Sequence, residues 1–362
     1  MEKQEVIISK DLQRELQEAV ERVKPDRLFV LTDTTTRTVC WPLVTDFPCM
    51  KGLLSDGTEA GWGVAQMITI GATDEAKTLE SLVAVWTALG EGGATRHSML
   101  INLGGGMVTD LGGFAASTFK RGIAYINVPT TLLSMVDASV GGKTGINFRG
   151  LKNEIGVFNA ASTVILDTRF LRTLDSENLR SGYAEMLKHG LISTEAHLAD
   201  LLTFDLVQID YERLKELVGK SVGIKEGVVE ADPHEHGIRK ALNLGHTVGH
   251  AFESLALEEH RTVLHGYAVA WGLVCELYLS ATHCGFPTAR LRQVVQFVKN
   301  TYGVFNITCK QYDRLYELMT HDKKNVAGTI NFTLLGAVGD VRINQHVPKE
   351  DIFEALDFFR EN

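Results

Sequence analysis

SMLINLGGGMVTDLGGFAAS, residues 98–117, runs as a strand, a tight glycine turn and the start of a helix. A short, mostly apolar run leads into Gly104, Gly105 and Gly106, after which apolar and small residues continue at helical length. Such a turn sets backbone N–H groups and a helix N-terminus against a phosphate. Absent side chains permit close approach, and the helix dipole favours an anion. The spacing departs from G-x-G-x-x-G, so by itself the turn is a weak dinucleotide signal and serves equally to pack a strand on a helix. Asp110, four residues past the third glycine, is expected in the first helical turn, either as a partner of the dipole or as an acceptor for a ribose or polyol hydroxyl.

Outward from this stretch, β-branched runs recur: EVIIS (5–9), RLFVLTD (27–33), QMITIG (66–71), AYINVP (124–129) and STVILD (162–167). Most are separated by segments of helical length or period, the pattern of an α/β layer with a parallel sheet. The expectation is an N-terminal Rossmann-like parallel α/β domain over residues 1–175. From Leu179 the pattern changes to long helical segments: LRSGYAEMLKHGLI (179–192), YERLKELVGKSVGIKEGVVEA (211–231), NLGHTVGHAFESLAL (243–257) and GYAVAWGLVCELYLSATHC (266–284). Residues 176–362 therefore read as a mainly α-helical metal- and substrate-binding domain, interrupted by TINFTLL (329–335) as a strand paired with DVRIN (340–344).

The 362 residues are 44% hydrophobic and 22% charged, ordinary globular values, and no apolar run approaches the ~20 residues of a membrane helix. The N-terminus is charged from its second residue and lacks the features of a secretory signal, so a cytoplasmic protein with no membrane partner is expected. Five widely spaced cysteines with no C-x-x-C suggest reduced thiols. A net charge of −9 opposes nucleic-acid binding. Yet Lys120, Arg121, Lys143, Lys152, Lys188, Lys225, Arg239, Lys240, Lys323 and Lys324 fall beside glycines or in unusual motifs, as a small anionic ligand would require.

VPTTLLSMVDASVGGKTGIN (128–147) places Thr130 and Thr131 after a strand and Asp137 before the glycine pair and Lys143; Lys152 and Asn153 follow. Two lysines in segments with few other charges fit phosphate or carboxylate recognition better than a solvated surface. Six of the twelve histidines, His234, His236, His246, His250, His260 and His265, crowd into about a tenth of the chain. His246 and His250 share a helix face at i, i+4, a spacing that can bind zinc, but Thr247 stands where H-E-x-x-H has its general base, which excludes a metalloprotease. Glu185, in the mostly uncharged SGYAEMLKHG, is the candidate additional ligand. One carboxylate and two histidines leave positions open for substrate oxygens.

LGGGMVTDLGGFAASTFKRG, VPTTLLSMVDASVGGKTGIN, LKNEIGVF, LRSGYAEMLKHGLI, IRKALNLGHTVGHAFE, LHGYAVAWG and the Asp322-Lys323-Lys324 triplet together resemble the 3-dehydroquinate synthase family, from about residue 66 to 345. The resemblance implies Glu185, His246 and His265 as ligands of a divalent metal, zinc or cobalt, and moves His250 to the substrate. It implies NAD contacts at Gly104, Gly105, Gly106, Asp110, Thr130, Thr131, Asp137, Lys143, Lys152, Phe170 and Thr173. Substrate contacts would be Asp110, Lys143, Asn153, Lys188, Lys225, Arg239, Asn243, His250 and one of Lys323 and Lys324. Arg121 would reach the substrate phosphate of a neighbouring subunit, which implies a homodimer. Lys188, His250, Asp110 and Lys143 form the implied catalytic set. The chain departs from the family's Asp-Gly-Glu-x-x-Lys, reading Ala72-Thr73-Asp74-Glu75-Ala76-Lys77, where only the lysine and approximately the acid match.

The implied substrate is the phosphorylated sugar acid 3-deoxy-arabino-heptulosonate 7-phosphate, whose two anionic ends suit basic residues gathered in an acidic protein. The implied product is 3-dehydroquinate, through transient oxidation by NAD, loss of phosphate, re-reduction and internal aldol closure. The rivals are a metal-dependent polyol or glycerol-phosphate dehydrogenase, another sugar phosphate cyclase, and a non-catalytic regulator. Arg239 with Asn243 weighs against the first two, and the intact ligand set against the third.

Overall fold

All six short runs read as strands join one sheet in the computed structural model, which describes residues 4–320 and 330–362. In chain order the strands of the first half are β1 (Glu5–Ile8), β2 (Leu28–Asp33), β3 (Gln66–Ile70), β4 (Met99–Gly104), β5 (Ala124–Pro129), β6 (Lys143–Phe148), β7 (Leu151–Phe158) and β8 (Thr163–Leu166). The sheet runs β1-β8-β5-β4-β2-β3 with every neighbouring pair parallel. A parallel sheet is covered on both faces, and accordingly β2, β4 and β8 are buried at every residue while β1 and β3, at the edges, are not. That double burial is why these strands read as continuous apolar runs rather than as an alternation.

Helices α1 (Leu12–Val23), α2 (Thr34–Val39), α3 (Leu79–Glu91) and α4 (Gly106–Thr118) complete the layers of this unit, Met1–Asp175. From β2 the chain steps outward to β3, whereas from β4 it steps the other way to β5 and then β8. The reversal lies between β2 and β4, and ligands of open α/β sheets bind outside the strand ends at such a switch point. Gly104, Gly105 and Gly106 stand there, at the carboxyl end of β4.

Two strands of this unit are absent from the sequence reading. VGGKTGIN and LKNEIGVF, taken only as ligand motifs, form an antiparallel hairpin of β6 and β7 outside the main sheet. β7 is exposed along its whole length, so it carries no burial alternation by which a strand could be recognised.

The second unit, Ser176–Asn362, contains α5 (Ser176–Leu191), α6 (Glu195–Thr203), α7 (Tyr211–Ala231), α8 (His246–Glu258), α9 (His265–Cys284), α10 (Thr288–Tyr302), α11 (Tyr312–Thr320) and α12 (Lys349–Glu361). Strands β9 (Phe332–Ala337) and β10 (Asp340–Gln345) pair antiparallel, as the sequence suggests. α9 is apolar on all sides and buried on nearly all of them; Leu273 and Leu277 share a core with Leu187, Phe252, Val294 and Leu356. The segment read as helical from Asn243 starts three residues later. Ile238–Asn243 is a 3₁₀ turn, Gly245 is left-handed at φ +81°, and α8 begins at His246. Among the described residues no helix is long and apolar enough to cross a membrane, and no cysteine is in a disulfide.

Candidate active site

In the first unit the glycine turn is built by close packing, since none of its three glycines has a positive φ. A Cβ on Gly104 would lie 2.5 Å from Val108 Cγ2, one on Gly105 3.1 Å from Thr131 Cγ2, and one on Gly106 3.2 Å from the Ala138 methyl. Gly105 is the N-cap of α4 and offers no side chain, so the first N–H groups of the helix remain available to an anion. The Thr130 N–H donates to the Gly104 carbonyl at 2.9 Å, and Thr131 bonds Ser134 at the head of a π-helical turn, Ser134–Ala138, that carries Asp137.

Asp110 lies one residue beyond the first turn of α4, which removes the dipole reading. Its partner is Lys77, buried at 3% exposure, whose ammonium lies 2.6 Å from Asp110 Oδ2 and also donates to Asn153 Oδ1. The structure thus joins two residues assigned from the sequence, Asp110 and Asn153, through a third that had been noted only as the survivor of a motif. Asn153 takes a left-handed φ of +50° and its N–H is held by Asn147 Oδ1 at 2.9 Å. Lys152 lies 3.6 Å from Asp74, both half exposed, and Lys143 is exposed at the start of β6. Phe170 is buried in the core, so a ligand there meets backbone; the Thr173 hydroxyl donates to the Phe170 carbonyl at 2.7 Å.

In the second unit, three helices converge. Glu185 of α5 is fully buried, and its Oε1 lies 3.3 Å from His246 Nε2 at the first residue of α8 and 3.5 Å from His265 Nε2 at the first residue of α9. Each imidazole is fixed from behind. His246 Nδ1 lies 3.1 Å from the Leu244 carbonyl, which can only accept, so Nδ1 carries the proton and Nε2 presents its lone pair. His265 Nδ1 lies 3.4 Å from Glu253 Oε2, with the same consequence. Three acceptors aimed at one point repel unless a cation lies among them, and these three come within 4.8 Å of one another. The donor set and its anchoring fit a zinc-type ion with a coordination position left open.

Electrostatics agree with the geometry. Burial pushes the Glu185 carboxyl up, but Lys188 and His246 outweigh it and hold the group well below the usual carboxylate range. Burial lowers His265, whereas hydrogen bonds to Glu185 and Glu253 raise it to about 10, so without a metal a proton supplies the missing positive charge. Lys188, also buried, pairs with Glu185 Oε2. His250 is half-buried one turn along α8, its ring centroid 5.3 Å from that of His246 and 6.0 Å from that of His265. A second set able to hold an ion, His250, Glu253 and His265, shares His265 with the first.

Lys225 of α7 is buried at 5% exposure, and buried Arg239 donates from Nη1 to the Pro233 carbonyl at 2.6 Å. The Asn243 amide donates to Glu235 Oε1 at 3.1 Å. His234, His236 and His260, counted in the sequence cluster, are exposed and belong to neither ligand set. Lys323 and Lys324 lie outside the described residues.

The family model of the 3-dehydroquinate synthase N-terminal domain matches residues 67–181, and that of the C-terminal domain matches residues 182–325. The chain belongs to the 3-dehydroquinate synthase family. It is 55% identical to the 3-dehydroquinate synthase of Parabacteroides distasonis over 362 residues, covering 100% of this chain and 99% of that one. With the 3-dehydroquinate synthase of Geobacillus kaustophilus it shares 39% identity over 92% of this chain and 88% of the other. A solved 2-epi-5-epi-valiolone synthase from Streptomyces hygroscopicus, with NAD+ and Zn2+ bound, superposes with a TM-score of 0.85 at 25% identity, covering 100% of this chain and 98% of that one. A 2-deoxy-scyllo-inosose synthase complexed with carbaglucose-6-phosphate, NAD+ and Co2+ shares the fold at a TM-score of 0.81 and 21% identity, over 99% and 96% of the two chains.

Members of the 3-dehydroquinate synthase family are enzymes, which excludes the regulator reading. Three residues around the site escaped the sequence reading. Lys77 had a signal in its position in the family motif. Glu253 had one in its spacing, since it follows His246 and His250 at i+7 and i+3 on one helix face. Glu276 had one in its isolation, as the sole charge in the apolar run AVAWGLVCELYLSA.

Proposed function

We propose that this enzyme converts 3-deoxy-arabino-heptulosonate 7-phosphate to 3-dehydroquinate and inorganic phosphate. Bound NAD would take up a hydride from the substrate alcohol and return it to the same carbon within each turnover, while a divalent metal, zinc or cobalt, would polarise the reacting oxygen. The convergence of Glu185, His246 and His265, with both imidazoles anchored from behind, is the observation that carries the reading.

The first unit takes the dinucleotide: Gly104 to Gly106 and the uncapped start of α4 bind its pyrophosphate, and Thr130, Thr131, Asp137, Lys143, Lys152, Phe170 and Thr173 line the remainder. Asp110 accepts from a ribose or substrate hydroxyl, and Lys77 holds that carboxylate and Asn153 in one arrangement. In the second unit, buried Lys225 and Arg239, with Asn243, bind the anionic ends of the substrate. Half-buried His250, together with Lys188, holds and moves protons at the substrate.

Lys120, Arg121 and Gly122 follow one another at φ +49°, +71° and +117°, a costly left-handed run for two side-chain-bearing residues. That exposed turn supports Arg121 as a residue offered to the phosphate of a second copy, and hence a homodimer. The chemistry suits a cytoplasmic enzyme of aromatic amino acid biosynthesis.

The test is stoichiometric. With substoichiometric NAD, metal-loaded enzyme releases one phosphate per substrate over many turnovers and accumulates no NADH. One NADH per substrate with the phosphate ester intact would instead establish a polyol dehydrogenase.

A further inference from the structure

α8 and α9 each begin at a histidine, and each sends a carboxylate to the beginning of the other. From α8, Glu253 reaches His265 Nδ1 at 3.4 Å. From α9, the fully buried Glu276 accepts the Gly245 N–H at 2.6 Å through Oε2 and the Val248 N–H at 3.1 Å through Oε1. Gly245 is the N-cap of α8 and Val248 its third residue, so one carboxylate from a neighbouring helix performs both bonds of a capping box.

The local sequence makes this necessary. Gly245 has φ +81°, which disfavours side chains, and a Cβ there would lie 2.8 Å from Leu273 and 3.1 Å from the Val269 carbonyl, both on α9. No Ser, Thr or Asp can cap α8 from that position, and the orphan N–H groups would be buried without partners. Glu276 satisfies them and ties down the first turn of α8, on which His246 is carried.

We infer that Glu253 and Glu276 are reciprocal positioning residues, each holding the histidine at the head of the opposite helix in the orientation that metal binding requires. This rests on the metal reading of Glu185, His246 and His265. The brace acts through two different atoms: Glu253 sets the tautomer and ring plane of His265, and Glu276 sets the backbone from which His246 projects.

Zinc affinity of the full-length chain, measured by chelator competition, tests it alongside the visible spectrum of the cobalt-loaded protein and the melting temperature of the metal-free protein. Glu253→Ala is expected to weaken zinc about 10- to 100-fold, the usual cost of removing an outer partner of a ligand. Glu253→Gln, whose amide oxygen still accepts from Nδ1–H, recovers most of that loss. Glu276→Gln can accept at only one of its two positions; it is expected to weaken zinc and alter the cobalt spectrum while keeping a native far-ultraviolet spectrum. If it fails to fold, the Glu253 pair decides. Wild-type zinc affinity in folded Glu253→Ala and Glu276→Gln, with lower melting temperatures alone, would mean the carboxylates are merely structural and overturn the inference. Glu185→Ala is the control: zinc binding undiminished there would bring down the metal reading itself.

Discussion

The two units offer a ligand different kinds of groups. Around Gly104 to Gly106 the candidate binding groups are main-chain N–H donors on contiguous residues, placed by a strand end and a helix start. Around Glu185 they are side chains on three helices, brought together only when α5, α8 and α9 pack. A backbone site tolerates substitution wherever no side chain intrudes, whereas a side-chain site is only as well defined as the packing behind each ligand. The contrast predicts large single-residue effects in the helical unit and graded ones in the sheet unit.

Glu185→Gln tests the extreme. It removes a buried charge that faces Lys188, His246 and His265, and breaking a buried ion pair costs about 3–5 kcal/mol. Metal analysis is expected to find no retained zinc, turnover to vanish, and thermal melts of the metal-free protein to fall. A variant with full metal and full turnover would erase the difference between the units.

Lys77→Met is the matching change in the sheet unit. It leaves Asp110 and Asn153 without their shared donor, and charge-assisted hydrogen bonds of this kind contribute about 1.5–3 kcal/mol. NAD titration is expected to show weakened but measurable binding. Unchanged affinity would confine Lys77 to folding.

His265 gives the helical unit a pH dependence. Its folded pKa, about 10, lies above the unfolded value near 6.5. In metal-free protein this contribution to stability is therefore complete below about pH 6.5 and is lost as the pH rises toward 10. Zinc must displace that proton, so its apparent affinity is expected to rise with pH through the same window, by up to about tenfold per unit. Titrations in two buffers of different ionisation heat would count the released proton; none released would mean His265 is neutral before zinc arrives.

The smallest effect belongs to Thr73, which occupies the glycine position of the family motif at φ +71°, ψ 167°. That region is nearly restricted to glycine and costs about 1–3 kcal/mol for other residues. Thr73→Gly returns part of this, less the extra flexibility of glycine in the unfolded chain, so a gain of about 1 kcal/mol is expected in denaturant melts. A loss would show that the side chain has compensating contacts.

By itself the sequence determined the parts whose signal is local. Buried parallel strands need apolar runs, long helices need their period, and a glycine turn after a strand announces a place where backbone can meet a ligand; all six sheet strands and the four helical segments were legible on those grounds. The histidines were visible as a cluster, but spacing alone paired His246 with His250, and the choice of His265 came from resemblance to a family. Packing decided the rest. That Glu185 faces two Nε2 atoms, that Lys77 joins Asp110 to Asn153, and that Glu276 caps a helix whose own N-cap cannot do so are consequences of which helix faces meet. The β6–β7 hairpin was illegible for the opposite reason: β7 is buried nowhere, so its residues bear no imprint of the fold. Periodicity records whether a residue is buried, and only tertiary contact decides against what.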